Sequence, residues 1–151
     1  MKVSWGVMLL PAMFSQLIAA DASCRGCGAG KLMLQCDVYV ARQGDLSRQH
    51  VCEEYAKIVD IDGASAKAAW YYLLAGKPER AVDAAQRALH QGQTFAAGYL
   101  AEAYAIFGKH EEAKKYMERF RTLKQQGGYI EKEIKTLRKI YPSADFSALK
   151  E

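Results

Sequence analysis

Ala69-Trp70-Tyr71-Tyr72-Leu73-Leu74-Ala75-Gly76-Lys77-Pro78-Glu79-Arg80-Ala81 is the stretch on which the fold turns, because its skeleton returns as Ala101-Glu102-Ala103-Tyr104-Ala105-Ile106-Phe107-Gly108-Lys109-His110-Glu111-Glu112-Ala113. The two share Ala69/Ala101, Tyr72/Tyr104, Gly76/Gly108, Lys77/Lys109, Glu79/Glu111 and Ala81/Ala113. Gly44, Gly76 and Gly108 lie 32 residues apart. A fixed interval of this size marks stacked supersecondary units, none of which can bury its apolar face alone.

Working outward, turn signals at Gly44-Asp45, Asp60 to Gly63, Gly76-Lys77-Pro78, Gln91-Gly92, Gly108-Lys109 and Gly127-Gly128 divide the chain into helices over about 31–43, 46–60, 64–75, 78–91, 94–107, 110–126 and 128–141. Pro78 suits a first helical turn, where its missing N–H costs nothing, and Pro142 ends the last helix. No convincing run of alternating apolar and polar residues argues for a strand. The expected fold is all-α: antiparallel hairpins at 31–60, 64–91 and 94–126, stacked with a concave side, a capping helix over 128–141 and a tail over 142–151. Alanines such as Ala84, Ala85, Ala88, Ala97 and Ala101 form helix readily and allow close approach.

Ala69, Tyr72, Gly76, Ala81, Ala85 and Ala88 in one unit, and Ala101, Tyr104, Gly108 and Ala113 in the next, give a pattern that resembles the tetratricopeptide repeat. The period is 32 where the family has 34, Met117 and Phe120 replace the family's aromatic and Ala, and the closing proline is missing. The unit over 31–60 shares only Tyr39, Gly44 and the turn spacing. What the resemblance implies is scaffold or adaptor work, since such arrays generally bind proteins or peptides. By the repeat register Trp70 either packs in the core or faces the concave side with Glu102 of the next unit. Trp70, Phe95 and Glu102 are the expected partner-binding residues.

The N-terminus carries an address. Lys2 precedes an apolar run from Val3 to Ile18, small residues follow, and Asp21 is the first acid. This reads as a secretory signal over 1–22, cut after Ala22 or Ala20. A membrane anchor or a lipidated Cys24 are the competing readings, and either would tether the chain to a membrane. Export sets an oxidising environment, so the cysteines read first as disulfides. Cys36 and Cys52 each lie eight residues from Gly44. In an antiparallel hairpin both would sit about 12 Å from the turn and face each other, so Cys36–Cys52 is the favoured bridge. Cys24 and Cys27, in a Cys/Gly-rich lead over 23–30 expected to be flexible, fit a structural disulfide, a redox-active pair or half of a four-thiolate zinc site.

The chain has 151 residues, 50% hydrophobic and 25% charged, with a net charge of +4. That is a globular composition, and the charge is too mild to argue for nucleic acid. The basic residues of 109–139 are interspersed with acids at helical spacing and read as a solvated face, with a basic patch for an acidic partner or an anionic envelope surface as the alternative. His50, His90 and His110 form no ligand motif. Gly26 to Lys31 lacks the spacing of a phosphate loop, and no nucleophile elbow occurs. No catalytic set, metal or cofactor is expected. The function indicated is a non-enzymatic, periplasmic protein-binding module of the cell envelope. The alternatives are a thiol–disulfide protein using Cys24 and Cys27, or a small inhibitor or immunity protein.

Overall fold

The computed structural model describes residues 25–123 and 129–150, with side chains from residue 28 onward. The expected signal segment, its cleavage sites, Cys24 and the side chain of Cys27 lie outside the described residues. Among these residues the structure is all-α. Helix α1 (Arg25–Gln35) continues as a π-helix (Cys36–Arg42); a 3-10 turn (Leu46–Arg48) leads into α2 (Gln49–Ile61). There follow α3 (Ser65–Leu74), α4 (Pro78–His90), α5 (Ala96–Ile106), α6 (His110–Arg121), α7 (Tyr129–Ile140) and a 3-10 turn (Ser147–Leu149). Helices adjacent in sequence from α1 to α6 pack on each other, so three antiparallel hairpins form a repeat-like stack.

The first helix begins at Arg25, not near 31. The stretch 25–30 is therefore helical, where a flexible lead was expected. Once Leu32 and Met33 pack against the core, extending a nucleated helix backward is cheap even through Gly28 and Gly30.

Apolar distribution sorts the helices. α3 buries Ser65, Ala66, Ala68, Ala69 and Tyr71 to Leu74, and α5 buries Ala96 to Gly98, Leu100 to Ala103 and Ala105. Helices apolar on nearly all sides belong in the middle. α4 buries one stripe, Ala81, Ala84, Ala85 and Ala88, and α6 buries Ala113, Met117 and Phe120. Both turn their charged faces outward.

The repeat is visible in hydrogen bonds. With Gly76 and Gly108 at φ +71°, the Lys77 N–H donates to Tyr72 O at 2.9 Å and the Lys109 N–H to Tyr104 O at 2.8 Å. These are the six-to-one bonds of a glycine-terminated helix, and only glycine takes that backbone conformation without strain. In the first hairpin the Asp45 N–H reaches Tyr39 O at 2.9 Å, across one residue more. The π-helix absorbs that extra residue. The same three tyrosines each carry a cation: Arg48 lies 4.6 Å from the Tyr39 ring centre, Arg80 5.9 Å from Tyr72 and Lys109 5.7 Å from Tyr104. Cys36 stands where the later units have Ala69 and Ala101. It is bonded to Cys52 with the Cα atoms 5.0 Å apart, and both are fully buried.

The last helix closes the array from its inner side, along the first helices of the hairpins. α7 buries Ile130, Glu133, Ile134, Leu137 and Ile140. Its N-terminal turns face α5 and α6. At its other end Lys139 Nζ donates to Ala41 O at 3.2 Å and Arg42 O at 2.7 Å, and the Tyr141 hydroxyl donates to Leu73 O at 2.7 Å. The ammonium thereby satisfies carbonyls left open at the end of the π-helix. The tail is part of the core. Phe146 and Leu149 are buried, the final 3-10 turn packs on α6 and α5, and Arg121 donates to Leu149 O at 3.1 Å.

Candidate functional site

The inner side of the stack between α5, α6 and α7 holds a cleft lined by Phe95, Gly98, Tyr99, Phe120, Tyr129 and Glu133. It encloses about 170 Å³. Gly98 lets the Phe120 ring close against α5: a Cβ there would meet that ring at 3.0 Å. Tyr99 is the hub. Its ring centre lies 6.1 Å from that of Phe95, edge to face, and 6.0 Å from that of Trp70 on α3. Phe95 and Tyr129 stand at the mouth, 43% and 60% exposed.

Behind the cleft two carboxyl groups meet. Glu102 on α5 is fully buried and Glu133 on α7 is 7% exposed. No donor reaches either oxygen of Glu102 among the described residues. The group facing it is the Glu133 carboxyl. Two ionised carboxylates repel, so they bond to each other only with a proton between them. Burial raises both above the usual carboxylate range, Glu133 to about 7, and the charge of Glu133 adds to the rise at Glu102. Burial also raises the Tyr99 hydroxyl, with the charges of Glu133 and Glu102 adding to the effect.

The structure thus brings Trp70, Phe95 and Glu102 to one region, joined through Tyr99. Their roles differ. Phe95 is open to solvent and Trp70 is half-buried, whereas Glu102 lies behind Glu133 and presents no surface to a partner. Sequence reasoning passed over Tyr99, Tyr129 and Glu133. Glu133 carried a readable signal: it interrupts the apolar stripe Ile130, Ile134, Leu137 of α7, where an acid is out of place.

A second buried contact lies in the π-helix. The Tyr71 hydroxyl donates to Asp37 Oδ1 at 3.1 Å. Burial raises the Asp37 carboxyl, and that hydrogen bond, with Arg42 and Lys67, only partly offsets the rise. The three histidines are exposed and lie on different helices. Among the described residues no three His, Cys, Asp or Glu side chains converge as they would on a metal ion. No described helix is long and apolar enough to cross a membrane. Compared with models of known families, with curated proteins and with solved structures, the chain matches none.

Proposed function

We propose that this chain is an exported, non-enzymatic helical-repeat module of the cell envelope, tetratricopeptide-like in plan, which binds a protein or peptide at the cleft between α5, α6 and α7, because α7 itself covers the rest of the inner side. The observation that carries the reading is the aromatic row Trp70, Tyr99, Phe95 and Tyr129, open at one end and bordering a cleft of about 170 Å³. Sites for metabolites usually enclose roughly 300–1,000 Å³. A cleft this small suits one side chain of a larger partner, and large rigid aromatics are the residues that anchor such contacts. The Cys36–Cys52 bridge supports export, because disulfides persist in oxidising compartments. The charged start and apolar run before Asp21 support it independently.

The test is crosslinking and affinity capture from the native envelope with the full chain and with Trp70→Ala and Phe95→Ala. We expect a discrete partner that is lost with the variants while helicity stays near wild type and the exposed Phe95→Ala keeps the melting temperature as well. Capture that is indifferent to both substitutions would remove the inner-side reading.

A further inference from the structure

We propose that the cleft between α5, α6 and α7 receives an organic cation, the ammonium or guanidinium end of a partner's lysine or arginine side chain, with Glu133 as counter-charge and the rings of Phe95, Tyr99, Phe120 and Tyr129 as walls. It rests on the reading of the chain as a protein-binding module and names what that module grips.

Four aromatic rings around a small space form an environment that favours a cation, because ring faces carry negative potential. A purely apolar side chain would be satisfied by the walls alone and would give no reason for an acid among them. Glu133 is more than nine-tenths buried, lines the cleft, and has only the Glu102 carboxyl as a polar partner among the described residues. Behind it, no donor other than the Glu133 carboxyl reaches Glu102 among the described residues. No Lys or Arg of the described residues forms an ion pair with either acid. Burying carboxyl groups without a donor or counter-ion is costly, and packed apolar residues would serve stability better. A shared proton meets that cost in the empty cleft, and an incoming cation meets it in the occupied one.

The mouth fits this use. Phe95 and Tyr129 flank an opening through which a long aliphatic stem can pass while its charged end reaches Glu133. The Tyr99 hydroxyl on α5 also lies near the pair and is held in its neutral form by burial and by their charges, and among the described residues α6 contributes the Phe120 ring. When the cation enters below about pH 7, Glu133 gives up its own proton to bulk water and meets the cation as the carboxylate, while Glu102 keeps its proton and donates it to Glu133.

The experiment is an NMR titration of the full chain, bridge intact, with n-butylammonium chloride, n-butylguanidinium chloride and, as the uncharged comparison, n-butanol. The readout is the ring signals of Tyr99 and Tyr129. Both cations should shift these signals and butanol should not. Because binding expels a proton, affinity should rise by about tenfold or more between pH 5 and pH 8. Glu133→Gln, which keeps shape and fold, should weaken the cations by about tenfold or more. Tyr129→Ser at the exposed mouth should weaken them with no change in melting temperature. Equal response to butanol, no response to the cations, or undiminished affinity in Glu133→Gln would each overturn the assignment. Partner capture that needs Trp70 and Phe95, alongside cations that do not bind, sinks this inference alone. Cations that bind, alongside capture indifferent to those residues, sink the module reading and leave the cleft.

Discussion

Glu102 and Glu133 make the chain's stability depend on pH in a direction opposite to that of ordinary ion-paired acids. Their folded-state values are raised, so between about 4.5 and about 7 the folded chain holds more protons than the unfolded one. Stability therefore falls as pH rises through that window, and a shift of this size for Glu133 corresponds to a loss on the order of 3 kcal/mol. Urea unfolding at pH 5, 7 and 8 should show the decline, and Glu102→Gln should flatten it, because a neutral amide can donate to Glu133 without a shared proton. A second residue-scale expectation concerns Gly98. The place of a Cβ lies 3.0 Å from the Phe120 ring, which is 4% exposed, so overpacking in Gly98→Ala, about 1–3 kcal/mol, should outweigh the roughly 0.5–1 kcal/mol gained in helix propensity, for a net cost of about 0–2 kcal/mol read as a lower urea midpoint. Little of this was legible in the sequence. The register placed Glu102 beside Trp70, but an acid within a helix reads as solvated until the helix that covers it is known.

At the scale of elements, the hairpin of α1 and α2 depends on its covalent link. The bridge closes a loop with a sequence separation of 16, and replacing Cys36 and Cys52 by Ala together should cost about 3 kcal/mol, seen as a lower melting temperature. This bridge was legible, because equal distances from a glycine turn put two residues at one height in any antiparallel pair. The π-helix was not, because a one-residue insertion ahead of Gly44 leaves the spacing of the glycines unchanged. The tail was also missed. Phe146 follows Pro142 in a segment without period, and only the folded chain shows its ring buried against the end of the third hairpin. Phe146→Ala should cost roughly 3–5 kcal/mol, close to what removing an interior aromatic costs elsewhere, and calorimetry would reveal a surface residue by a much smaller change.

For the whole molecule, the two helices buried on nearly every side, α3 and α5, should unfold last. Native-state hydrogen exchange should find the slowest amides in α3, α4 and α5 and the fastest in the first turns of α1, where Gly28 and Gly30 have no atom near the place of a Cβ. Slow exchange in α1 matching that of α3 would contradict this order. The hairpins could be read from the glycine interval and from alanines at close-packing positions. Where α7 lies could not, since an amphipathic stripe says that a face is buried but not against what. Its course has a further consequence. An open row of hairpins can gain or lose a unit and merely change length. Here a strut of about 18 Å runs from the final unit back to the opening one, and Lys139 fastens it to the carbonyls of Ala41 and Arg42. The strut acts as a gauge of fixed span: a duplicated hairpin would carry its far anchorage out of reach. The number of units is thereby set by the molecule itself, and growth by tandem duplication, the usual way such rows lengthen, is closed to it.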